Sequence, residues 1–145
     1  MPLDAIVADA NVLLSAAIGK AAYRVFVEGK LRVHVSRFNA EEVTEYLPIL
    51  AGKYGLPLDL VELNWRLLPT TIHETSEYAR RFKKALHDMR DRDPEDAHAL
   101  ALARALRLPL WSNDHHLEKL GVVVFTTAKL LKILEKRESG RDSIV

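Results

Sequence analysis

The chain has no cysteine, so it forms neither disulfides nor thiolate-held metal centres. It has no apolar run near the ~20 residues that a membrane-spanning helix needs. Its N-terminus lacks the basic n-region and cleavage site of a secretory signal. These absences predict a cytoplasmic protein with no membrane association. Neither sign of charge dominates: 21 Lys and Arg against 20 Asp and Glu leave a net charge of +1. Any contact with nucleic acid must therefore rely on a local basic patch. No Gly-rich phosphate loop, Walker pattern or Ser/His/Asp order is present, which argues against a nucleotide-triphosphate enzyme and a serine triad.

What is there suits one domain with a proper core: 145 residues, 48% hydrophobic and 28% charged. The reading is a single domain over residues 1–138 with a polar, frayed tail over 139–145. Strand-like segments are Ala5–Ala8, Leu31–Val35, Thr70–Ile72, Leu108–Ser112 and Val122–Phe125. Helical patterns cover Val12–Ile18, Ala21–Glu28, a segment from about Asn39, Leu58–Leu68, Ser76–Met89, Pro94–Leu106 and Thr126–Arg137. Pro48 is expected to kink or shorten the helix that holds it. The alternation predicts an α/β three-layer sandwich: a central, mainly parallel sheet of four or five strands flanked by helices. Ligands of such sheets bind outside the C-terminal ends of the strands.

Four acids fall where that edge should be. Asp9 ends the first strand, Asp114 follows Leu108–Asn113, Asp96 opens the Ala-rich helix and Glu42 lies on the helix after the second strand. Gathered carboxylates repel one another unless a cation sits among them, and hard oxygen donors suit Mg²⁺ or Mn²⁺. Each acid also has a plain structural account. Asp9 can cap a helix, Asn113-Asp114 can form a turn, and Asp93-Pro94-Glu95-Asp96 is an ordinary helix start. Capping explains Asp93 completely and Asp96 by half. At about 100° per residue, Glu42 borders the stripe of Val43, Tyr46, Leu47 and Leu50, while Glu41 and Glu45 point further round. Both remain alternatives to Glu42. Ser112 is placed to orient a carboxylate.

Histidines carry less. His115 and His116 are adjacent and cannot share a helix face, and His98 lies on another face from Asp96. One dense basic run, Arg80-Arg81-Phe82-Lys83-Lys84, reads either as solvated helix surface or as a phosphate-backbone contact.

The ordered set resembles the PIN-domain family of metal-dependent ribonucleases, over nearly the whole chain. Val7–Leu13 is similar to its opening strand and first acid, Ser36–Leu47 to its second, Asp93–Ala101 to its third and Trp111–Asp114 with Leu117 to its fourth. Asn113 stands where many members carry Gly. The resemblance implies a VapC-type, toxin-like endoribonuclease dependent on Mg²⁺ or Mn²⁺. Asp9, Asp96 and Asp114 would hold metal and Glu42 would complete the catalytic set, with Asn11 and Ser112 in support. Arg80, Arg81, Lys83 and Lys84 would bind RNA. Implied partners are single-stranded RNA, a small antitoxin protein and further copies of the chain in a homodimer or higher homo-oligomer. A binding module without turnover and an RNA-processing nuclease outside toxin–antitoxin systems are the alternatives. A receiver-type phosphoryl-transfer domain would need a cationic partner after a late strand, where only Lys129 is near.

Overall fold

The computed structural model describes residues 3–142. Its centre is β1 (Ala5–Ala8), buried at every position. Ile6 and Ala8 face one hydrophobic cluster and Val7 the other. This two-sided burial is why the strand is apolar without alternation. β1 pairs in parallel with β2 (Arg32–Ser36) and with β4 (Leu110–Trp111). β3 (Thr70–His73) adds outside β2, and β5 (Val124–Phe125) outside β4. The five-stranded sheet is wholly parallel, in the order β3-β2-β1-β4-β5. Chain order reverses at β1, between β2 and β4, where the loops diverge and leave a crevice.

Helices α1 (Ala10–Ala17), α2 (Ala21–Glu28), α3 (Arg37–Lys53), α4 (Leu58–Leu67) and α7 (Thr127–Asp142) cover one face. Helices α5 (Ala79–Asp88) and α6 (Ala97–Leu106) cover the other. α6 is Ala-rich because it is enclosed: Ala97 and Ala99–Ala103 are all buried. α5 instead keeps Ala85 buried and its basic side chains outside. The sandwich and its parallel sheet are those the sequence predicts, with five strands.

Boundaries differ for local reasons. α3 runs through Pro48 without being shortened. The N–H that Pro lacks would have met the Thr44 carbonyl on an exposed face, where water can serve it. The single helix expected from Ser76 is split into a 3-10 turn at Thr75–Glu77 and α5. Tyr78 leaves helical geometry between them and is buried, its hydroxyl 2.7 Å from His98 Nδ1. Pro94–Asp96 likewise forms a separate 3-10 turn before α6. β4 and β5 are two residues each, shorter than their apolar runs. α7 continues to Asp142, past the Arg137 where the sequence pattern stops. Of the tail expected at 139–145, residues 143–145 lie outside the described residues.

Candidate active site at the C-terminal edge of the sheet

Asp9 follows β1 directly and is 6% exposed. Its Oδ1 accepts the Val12 N–H at 3.0 Å, so it does cap α1. Burial raises its carboxyl above the usual range, as does Asp114. Hydrogen bonds from Ser112 and from the Val12 and Asn11 backbone pull the other way. Opposed influences thus meet at one buried acid: a cap bond favours its charged form, and a second acid disfavours it.

Asp114 reaches the same edge from β4. Its N–H donates to the buried Ser112 Oγ at 3.1 Å, and its Oδ1 accepts the His116 N–H at 2.9 Å. Ser112 therefore stands between Asp9 and Asp114 and steadies both. Asn113 acts separately, since its Oδ1 accepts the Thr127 N–H at 2.9 Å and ties the β4 end to the start of α7. Glycine at this position could not make that bond.

Asp96 is the acid without an ordinary occupation. Asp93 caps the 3-10 turn, its Oδ1 accepting the Glu95 N–H at 3.0 Å. Asp96 is the last residue of that turn, in helical geometry at φ −71° and ψ −11°, and its side chain makes no capping bond. Its carboxyl is pushed up to about 7, first by burial, then by the charges of Asp9, Asp93, Asp114 and Glu95. Asp9, Asp96 and Asp114 are thereby within each other's electrostatic reach.

Glu42 comes to the crevice from α3. A relay places it: Ser36 Oγ accepts the Asn39 N–H at 3.0 Å and donates to Asn39 Oδ1 at 2.9 Å, and Asn39 Nδ2 donates to Glu42 Oε1 at 2.6 Å. Burial, then a hydrogen bond with Glu95, pushes the Glu42 carboxyl up to about 7, against the pull of Asn39. A cavity of about 320 Å³ is lined by Asn11, Glu42, Tyr46, Asp93, Glu95 and Asp96, among others. Glu41 and Glu45 are exposed and do not line it. Asp96 links two acidic groups, the buried Asp9–Asp114 side and the open Glu42–Glu95 side.

Glu95 and Asn39 are site residues that sequence reasoning passed over. Ser36, Asn39 and Glu42 recur every third residue from the strand end, the spacing of one helix face, and that signal was readable. Glu95 had none, because its approach to Glu42 depends on how α3 sits against the 3-10 turn.

Among the described residues, no three His, Asp or Glu side chains are close enough to form a ready-made metal cage. The donor chemistry nevertheless fits a hard dication. The donors are carboxylate oxygens, and two of them hold protons up to about pH 7 under mutual repulsion and burial. A cation entering the crevice relieves both.

The basic run goes elsewhere. Arg80, Arg81 and Lys84 line a cavity of about 690 Å³ together with Arg104 and Arg107. Its other wall is the chain leading into β4 and β5, at the edge opposite the carboxylates. Lys83 does not line it.

A family profile described as PIN domain matches residues 7–135. No curated protein matches the chain. Solved structures do. VapBC2 from Rickettsia felis, bound to a DNA fragment from its promoter, has a TM-score of 0.64 at 11% identity, covering 84% of this chain and 98% of that one. VapC20 from Mycobacterium tuberculosis, a Sarcin-Ricin loop cleaving toxin, has 0.59 at 15% identity, covering 81% and 96%. A toxin–antitoxin complex from Klebsiella pneumoniae has 0.58 at 21% identity, covering 84% and 97%. At these identities the likeness is one of fold.

Proposed function

The chain belongs to the PIN domain family, and from that premise we propose that it is a divalent-metal-dependent endoribonuclease cutting RNA at the Asp9–Asp96–Asp114 edge. The observation that carries this reading is Asp96: a half-buried carboxylate at a helix start that makes no cap bond and is pushed up to about 7 by burial and four neighbouring acids. Such an arrangement costs stability and is of use to a cation.

Asp9, Asp96 and Asp114 would hold Mg²⁺ or Mn²⁺, with Ser112 fixing Asp9 and Asp114 in place. When bound, the ion supplies positive charge that polarises the scissile phosphodiester and eases ionisation of water. Hydrolysis joins a water oxygen to phosphorus and breaks the bond to the leaving oxygen, so one proton must leave the water and one must reach the leaving group. Glu42 is suited to the first transfer. Its Oε1 accepts the Asn39 amide, which holds the carboxylate in place for that transfer. A carboxyl titrating near 7 matches the working pH of a general base. Glu95 keeps it there. Asn11 lines the crevice, exposed at the start of α1, where it can meet the ribose or the phosphate.

The fold's likeness to toxins and to toxin–antitoxin complexes supports a toxin role, with a small antitoxin as partner. The test of the chemistry is cleavage of a panel of single-stranded RNAs with Mg²⁺, with Mn²⁺ and with chelator. Wild type should cut only with metal, and Asp9→Asn/Asp114→Asn should not cut. Cleavage that persists in chelator, or in the double variant, overturns the reading.

A further inference from the structure

The crevice lined by Glu42, Asp93, Glu95 and Asp96 has no Lys or Arg in its lining. Its acids repel phosphate, and the whole chain carries a net charge of only +1. Affinity for a polyanion must come from a local concentration of cations. We infer that the cavity between α5, the end of α6 and the β5 approach is a phosphate-backbone site, where Arg81, Lys84 and Arg107 hold a single RNA strand away from the cutting edge. The inference rests on the RNA-cleaving reading above.

Three observations point to a ligand there. The first is imbalance. Arg80, Arg81, Lys84, Arg104 and Arg107 share one cavity. Among the described residues, only Arg104 of these is in an ion pair, with Asp88 at 2.8 Å. The second is Arg104 itself. Its Nη2 serves both Asp88 and the Leu120 carbonyl, at 2.8 and 2.9 Å, while its Nη1 is buried and has no hydrogen-bond partner among the described residues. Anchored in this way, Arg104 forms a fixed wall of the cavity beside Arg81, Lys84 and Arg107, which are in no ion pair among the described residues.

The third is Arg107. α6 ends in a Schellman motif, with Leu108 N–H on the Ala103 carbonyl at 3.0 Å and Arg107 N–H on the Arg104 carbonyl at 3.3 Å. Arg107 holds the left-handed position at φ 56°, the one non-glycine residue with positive φ among the described residues. Glycine is the residue that takes this position without strain. An arginine there keeps a strained backbone and places a charge in the cavity, a combination that marks functional positions. Four arginines among five cations favour phosphate, which Arg engages through two parallel bonds. Apolar walls at Pro109 and Val122 give the ribose a surface to lie on.

The strain at Arg107 makes a clean test. Arg107→Gly removes the charge and relieves the backbone, so the melting temperature should hold or rise while RNA binding weakens. Binding of a labelled single-stranded RNA is measured against salt in the Asp9→Asn/Asp114→Asn background, which separates binding from cutting. Adding Arg107→Gly/Arg81→Gln should reduce the magnitude of the salt slope by about 1.4, from ~0.7 per lost contact on a single strand. Inorganic pyrophosphate should compete weakly and poly-glutamate should not match RNA. An unchanged slope, or poly-glutamate that competes as well as RNA, overturns the site as a backbone cradle. Pocket-dependent binding by a wild-type protein that never cuts would sink the nuclease reading and leave this one standing. The reverse holds for cutting with an unchanged slope.

Discussion

Asp93 and Asp96 stand three residues apart at one helix start and divide its work. Asp93 caps the turn through the Glu95 N–H, and Asp96 caps nothing. The division yields a matched pair of variants. Asp96→Asn keeps shape and removes charge, and it should lower metal-dependent RNA cleavage by about a hundredfold or more, at least the loss seen when weaker supports of a metal are removed. Asp93→Asn should leave cleavage close to wild type, since Asn caps as well as Asp. Equal rates in both variants would remove Asp96 from the site, and a loss confined to Asp93 would mean the roles are exchanged.

The same carboxyl sets a pH dependence whose sign is fixed. Unfolded Asp96 titrates near 3.8 and folded Asp96 near 7. Between those values the folded state holds more protons, so metal-free stability falls as pH rises through that window. Glu42 adds to the same trend, from 4.5 to about 7. Cations bind the deprotonated carboxyls, so the gain in melting temperature on adding Mg²⁺ or Mn²⁺ should grow across the window. At a hundredfold excess over Kd that gain corresponds to about 2.7 kcal/mol. Thermal melts from pH 4.5 to 8, with metal and with chelator, check it. A gain that is the same at both ends, or unaltered in Asp96→Asn, would place the bound ion elsewhere.

Glu95 is tested through Glu42. Glu95→Gln removes a negative neighbour and leaves an amide that can donate to the Glu42 carboxylate. Glu42 should then titrate lower, and the acidic limb of the pH–rate profile for RNA cleavage should move to lower pH. Metal-free stability near pH 7 should rise. A profile that does not move would leave Glu42 without a proton-transfer role.

Much of this site was legible because it rests on local chemistry. β1 reads from its continuous apolar run, and Asp9 from its place at that run's end. Helical spacing picks Glu42 from its two neighbours, and Glu42 alone of the three lines the crevice. The limits of β4 and β5 were not legible. Leu108 and Val122 are as apolar as strand residues, yet they pack beside α6 outside the hydrogen-bonded ladder. The location of the Arg80–Lys84 run was hidden for a different reason. A helix sequence shows which residues share a face, but which sheet edge that face meets depends on the crossover that follows. Arg104 and Arg107 could not be joined to it without the fold.

Trp111 offers a test of the core that leaves the acids alone. It is fully buried in β4, tilted against Phe26 at 5.4 Å, and its Nε1–H donates to Thr127 Oγ1 at 3.0 Å. Thr127→Val keeps the volume and removes the acceptor, leaving an indole donor buried without a partner. The cost should be about 1–3 kcal/mol, read as a lower midpoint in urea with an unchanged slope. Thr127→Ser retains the hydroxyl and should recover most of the loss. Because Trp111 ends β4 and is followed directly by Ser112, Asn113 and Asp114, a loosened indole should also be felt at the carboxylate edge as weaker metal stabilisation. If Thr127→Val matches wild type in urea, the indole bond adds nothing to the fold. If stability falls while the response to metal stays intact, β4 holds its acid independently of the core beneath it.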